Sequence, residues 1–185
     1  YHSAINTAEH LTLPPELTGE LIRAAGPDME VADPGAYMDG WVSIDFYLDQ
    51  LTQHNDWWEK ATRYGLKKAD WDMAFSWVGT IDHIQHVLYG GIDPKCSYYN
   101  EQEAPKILGY IRRVYAEIDE RIGRILQDVN LDETLVCIVS DHGFSAIEWN
   151  PYLKHHLAKA GLVNFKLDYE TNQMVIDWSR TKAFP

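Results

Sequence analysis

Two almost continuously apolar runs bracket one long amphipathic stretch, and each run is closely followed by an aspartate and a histidine. The first run is Met73-Ala74-Phe75-Ser76-Trp77-Val78. The second spans residues 134–140, with Leu135-Val136-Cys137-Ile138-Val139 at its centre. Between them, Ile107, Tyr110, Ile111, Val114, Ile118, Ile122, Ile125 and Leu126 recur at helical spacing, which predicts a helix over 101–128. A run that is apolar at every position needs cover on both faces, as strands of parallel sheets do. The order strand, helix, strand therefore predicts a βαβ unit with parallel strands and a right-handed crossover. The expected fold class is α/β with a mainly parallel sheet. In such sheets ligands bind beyond the carboxyl ends of the strands, where both polar clusters fall.

The remaining elements are read from punctuation and period. Pro15 opens a short helix to about Ala25, closed by Gly26-Pro27. Asp33-Pro34-Gly35 marks a loop. A helical region is predicted over 43–68 from Ile44, Tyr47, Leu48 and Leu51, continued by Trp58, Ala61 and Leu66. An interruption is expected at His54-Asn55-Asp56, and Trp57 and Trp58 are expected to pack the core. Asn150 and Pro151 fit the cap and first position of a helix over 151–160. Residues 163–167 and 173–178 read as a hairpin around Glu170-Thr171-Asn172.

Composition narrows the function. The chain has 185 residues and a formal net charge of -12, so it suits roughly one domain. The negative charge disfavours non-specific nucleic-acid binding, because a phosphate backbone attracts basic surfaces. A phosphate substrate stays possible, since bound divalent cations reverse the local field. Cys96 and Cys137 form no CxxC pattern, which leaves redox chemistry and a sulfur-ligated zinc site unsupported. The sequence offers no membrane span and no visible signal peptide; the cytoplasm is the preferred location.

The chemistry sits in two pairs. Asp82 and His86 are four apart, so a helix starting near Ile81 places both on one face. A carboxylate oxygen and an imidazole nitrogen are both zinc ligands at roughly 2.0–2.2 Å. The alternative makes Asp82 a helix cap and His86 a surface residue. His83 points off the shared face, and Gly90-Gly91 ends the element. Asp141-His142-Gly143 follows the second run, with Gly143 allowing a tight turn beside an ion. Its alternative is an Asx turn with an ordinary histidine. The repeated placement of one Asp and one His favours a pair of cations about 3.5–4 Å apart, the arrangement that binds the attacking and leaving oxygens of an in-line displacement.

The motifs Asp82-His83-Ile84-Gln85-His86 and Ser140-Asp141-His142-Gly143-Phe144 resemble those of the alkaline phosphatase superfamily, in its type I phosphodiesterase/nucleotide pyrophosphatase branch. The likeness is good over 71–143, softer over 178–185 and poor before Pro34. Close relatives often carry glycine where Gln85 stands. The resemblance implies that Asp82 and His86 bind one metal and Asp141 and His142 the other, with zinc expected and manganese tolerated. It also implies an upstream Asp ligand, a Thr or Ser nucleophile and a late His. None of these can be placed here; Thr80, Ser140 and Ser145 match the nucleophile poorly.

On this reading the chain is an incomplete catalytic domain, a partly complete alkaline-phosphatase-like three-layer sandwich. Residues 1–40 form a loop-rich segment or part of an insertion, 41–160 the α/β core portion, and 161–185 the hairpin and the start of a further insertion. The remainder would come from more chain, another polypeptide or self-association. The implied function is a two-metal phosphodiesterase or nucleotide pyrophosphatase acting on a phosphate ester or nucleotide through a covalent phospho-Thr or phospho-Ser. A phosphomutase or sulfatase-like member, or a non-catalytic metal-binding or interaction domain, is the alternative.

Overall fold

The computed structural model describes residues 5–6, 12–29, 32–147 and 151–183. The chain divides into two compact units, Tyr1–Ala146 and Ile147–Pro185.

Helices build the first unit. Its central element, α3, spans Ile44–Lys68, and the Ser43 side chain caps it by accepting from the Phe46 amide at 3.2 Å. That bond satisfies one of the amides left open in a first helical turn. The helix runs unbroken through His54-Asn55-Asp56, where the sequence predicts an interruption. Within the continuous helix, Asn55 turns to Thr80 and Asp56 to Arg121. Before α3 come α1, Thr18–Ala25, preceded by a 3-10 turn at Pro15–Leu17, and α2, Pro34–Met38. Asp33 accepts from the Ala36 amide at 2.9 Å, so Asp33-Pro34-Gly35 starts a helix instead of a loop. Two short strands, β1 (Ile5–Asn6) and β2 (Asp28–Met29), pair antiparallel.

Two more helices pack on α3. They are α4, Thr80–Leu88, and α5, Ala104–Leu126. One core cluster joins Tyr47, Leu48 and Leu51 of α3 to Ile84 and Leu88 of α4 and Ile111 and Val114 of α5. A second joins Trp58 to Ile118 and Ile125, with Trp57, Val78 and Ile122 packed against it. Fully burying one such aliphatic side chain stabilises by about 1.5–3 kcal/mol.

Polar rungs run beside these clusters. Thr52 Oγ1 donates to Glu117 Oε2 at 2.9 Å, Arg121 Nη2 to Asp56 Oδ1 at 2.6 Å, and Arg124 Nη2 to Glu59 Oε2 at 2.8 Å. Arg63 Nε donates to Asp128 Oδ2 at 2.5 Å. Every rung spans 65 residues, and a constant difference, with both partners advancing together, requires α3 and α5 to run parallel.

The predicted three-layer sandwich with a mainly parallel sheet is not observed. Among the described residues, strands pair only as two two-stranded antiparallel ribbons. Residues 71–78 and 134–140 are extended but join no ladder, so the βαβ unit and its crossover have no counterpart. The second run is open to solvent, with Leu135 88% and Val139 87% exposed, and Cys137 is exposed as well. An apolar run states a need for cover, but a strand also needs a neighbour whose backbone pairs with it, and neither run is paired among the described residues. The first run is also exposed, Phe75 to 91%, and is anchored at two points: Trp58 Nε1 donates to Ser76 Oγ at 2.9 Å, and Val78 packs against the second core cluster.

The second unit holds α6, Leu153–Lys159, and a hairpin of β3 (Phe165–Asp168) with β4 (Gln173–Ile176). Asn172 turns that hairpin at φ 53°, a conformation asparagine tolerates better than most residues. The predicted cap Asn150 lies outside the described residues, and the helix begins after Tyr152. No helix among the described residues is long and apolar enough to cross a membrane.

Candidate metal centre

Helix α4 carries the first pair. Its start is set by Gly79, where a Cβ would meet the Trp77 ring at 2.5 Å, and by Thr80, whose side chain is buried. Four-residue spacing then brings Asp82 Oδ2 to 3.4 Å from His86 Nε2. The other oxygen, Asp82 Oδ1, is buried and has no hydrogen-bond partner, although the side chain as a whole is 36% exposed. A carboxylate oxygen withdrawn from water without a donor is costly, so this atom has unused capacity for a cation. Gln85 folds back along the helix, its Nε2 donating to the Ile81 carbonyl at 3.1 Å.

His83 faces the core side of α4. Tyr47 Oη donates to the His83 carbonyl at 3.4 Å. Burial lowers the affinity of the His83 ring for a proton, and the nearby Asp82 carboxylate works against that shift. The sequence places His83 off the shared face of Asp82 and His86; the structure leaves it half-buried.

The second pair lies on the exposed segment after residue 140. His142 Nδ1 lies 2.9 Å from the Gly143 carbonyl, and since a carbonyl only accepts, Nδ1 is the donor. In the neutral ring that tautomer leaves the lone pair on Nε2, the nitrogen 3.7 Å from Asp141 Oδ2. The Gly143 bond, and then the Asp141 charge, raise the pKa of His142; Asp82 also contributes to the rise. The two motifs also touch directly.

Phe144 explains how. Its ring packs edge-on against His86, with centroids 4.9 Å apart at 85°, and lies 5.3 Å from Tyr89. The segment carrying Asp141 and His142 is thus seated on α4 by an aromatic contact, where the sequence predicts two adjacent parallel strands. Sequence reasoning quotes Phe144 within its motif and assigns it no task. The signal was its position, two residues past the histidine in an otherwise polar turn.

The donor types fit a divalent cation: one carboxylate and one imidazole at each half, one carboxylate oxygen unsatisfied, one imidazole in the correct tautomer. The number of donors does not close a coordination sphere, since zinc takes four ligands. Among the described residues no group of three or more His, Cys, Asp or Glu side chains is gathered as a metal site. Two of the hydroxyls near the motifs are engaged. Thr80 Oγ1 is buried and donates to Asn55 Oδ1 at 2.7 Å, while Ser140 Oγ donates to the His142 carbonyl.

Comparison with known proteins bears on the family of the chain. No curated protein and no solved structure gives a significant match. The family model for type I phosphodiesterase / nucleotide pyrophosphatase matches residues 23–182, a span containing both motifs, α3 and α5. The chain belongs to the type I phosphodiesterase/nucleotide pyrophosphatase family.

Proposed function

We propose that the chain supplies the metal-binding half of a phosphodiesterase or nucleotide pyrophosphatase site, with Asp82 and His86 holding one divalent cation and Asp141 and His142 a second. The observation that carries the reading is the buried, unpartnered Asp82 Oδ1 beside His86, on the helix against which Phe144 seats the Asp141-His142 segment. Membership of the family supports a phosphate ester or nucleotide as substrate.

The bound cations, zinc or manganese, would supply Lewis-acid stabilisation of the phosphoryl oxygens and a lowered pKa for an attacking hydroxyl. The chain's own residues contribute orientation. The Gly143 carbonyl fixes the His142 tautomer, as the outer partner of a ligating imidazole does. Phe144 fixes the His86 ring from its edge. The attacking hydroxyl is unassigned, because Thr80 is buried and committed to Asn55. A cytoplasmic setting belongs to the same proposal.

Zinc and manganese titrations, followed by calorimetry, test it. The parent chain should take up metal, and Asp82→Ala, His86→Ala, Asp141→Ala and His142→Ala should each weaken one binding event by at least about tenfold. The same preparations are offered bis-nitrophenyl phosphate, and little or no turnover is expected without a placed nucleophile. Metal uptake unchanged in all four variants would overturn the assignment. Robust turnover abolished by Asp82→Ala or Asp141→Ala would instead return the search for a nucleophile to this chain.

A further inference from the structure

Helix α4 is tied to α3 by two polar contacts that straddle Asp82 in sequence. Thr80 Oγ1, two residues before it, donates to Asn55 Oδ1 at 2.7 Å. The His83 carbonyl, one residue after it, accepts from Tyr47 Oη at 3.4 Å. Asn55, Thr80 and Tyr47 are each 0% exposed. Leu48, Leu51 and Ile84 pack between the same helices, but apolar contacts carry no direction. The Thr80–Asn55 bond is directional and is satisfied in a single geometry.

The pair is also a poor choice for stability alone. Asn55 has an amide with two donors, yet Nδ2 is buried and has no hydrogen-bond partner. Leaving such a donor unsatisfied is destabilising, whereas two apolar groups of the same shape can be nearly neutral. The first turn of α4 thus combines a buried donor without an acceptor, on the partner of Thr80, and a buried acceptor without a donor, Asp82 Oδ1. Polar groups left unsatisfied in a core at one helix end point to a constraint other than packing.

We infer that Asn55, acting through Thr80, is a positioning residue that fixes the rotation and register of α4 and so aims the Asp82 carboxylate. The inference rests on the metal-site reading above. It assigns to the buried Asn-Thr bond the task that outer hydrogen-bond partners perform for metal ligands generally, which is to orient a side chain that binds the ion.

The test uses metal without substrate. Zinc affinity is read by competition with a chromophoric chelator, and cobalt(II) absorption reports ligand geometry. Urea unfolding of the metal-free variants separates folding from binding. Thr80→Val keeps the shape and removes the hydroxyl; Thr80→Ser keeps the hydroxyl; Asn55→Leu removes both the acceptor and the donor of the amide. Thr80→Val and Asn55→Leu should weaken zinc binding about tenfold to a hundredfold and change the cobalt spectrum. Thr80→Ser should bind as the parent does. Parental zinc affinity and cobalt spectra in folded Thr80→Val, with Asp82→Ala impaired, would overturn the positioning role and leave the metal site standing. Parental affinity in Asp82→Ala would overturn both. If Asn55→Leu does not fold, the Thr80→Val and Thr80→Ser pair decides, since restored binding in Thr80→Ser alone requires the hydroxyl.

Discussion

At the scale of single residues, the proposed ligands within each motif are local neighbours, whereas Asn55 and Thr80 meet only through packing. Asp82 and His86 are four apart, so a helix alone brings them together. Asp141 and His142 are neighbours, and adjacency needs no fold. Asn55 and Thr80 are 25 residues apart, and no local pattern links an asparagine inside one helix to a threonine opening another. Their meeting depends on how α3 and α4 pack. Ile84 shows how tight that packing is: it is 0% exposed and touches the core residues of both neighbouring helices. Ile84→Ala should cost about 2–5 kcal/mol, the usual range for emptying a core site, measured by urea unfolding. A loss below about 1 kcal/mol would show that α4 is loosely held, and would weaken any account that uses it to aim a carboxylate.

At the scale of elements, period 3.6 was a reliable guide and continuous apolarity was not. The helices over 43–68 and 101–128 were predicted within a few residues of α3 and α5, because their apolar positions recur on one stripe while charges fill the rest. The runs 73–78 and 134–140 have no such internal check. A short apolar run states only that burial would be favourable; pairing belongs to residues elsewhere in the chain. The charges on α3 and α5 form a seam between the two helices. Arg124 and then Arg63 hold Glu59 below its ordinary carboxylate pKa of 4.5, and Arg63 and Lys67 hold Asp128 below 3.8. A depressed carboxylate stabilises the fold above its unfolded-state pKa, and that contribution is lost as pH falls through the lower folded-state value. The seam should therefore be at full strength above about pH 5 and weaken progressively below it. The double variant Glu59→Gln, Asp128→Asn should show a flatter dependence of urea midpoint on pH between about 5 and 3 than the parent. Parallel curves would mean that these pairs add nothing to the pH dependence.

At the scale of the whole chain, the main departure from the α/β expectation is an apolar segment left in solvent. Leu135 and Val139 are almost fully exposed in a segment joined to no strand, and exposed apolar strands invite association. Leu135→Lys with Val139→Lys should change stability by no more than about 0.5 kcal/mol each and reduce self-association in sedimentation velocity. A loss of several kcal/mol would show that the segment is covered in solution. The parallel seam has a different consequence, for the order in which the molecule assembles. Each rung from Thr52–Glu117 to Arg63–Asp128 closes a loop of 65 residues. The entropy of closing a loop grows only logarithmically with its length, but the first rung must overcome it before any contact rewards it. Once one rung exists, the others join residues already side by side. Folding should then proceed as a late-starting zipper, with α4, inside the closing loop, trapped into its final register as the two long helices come together.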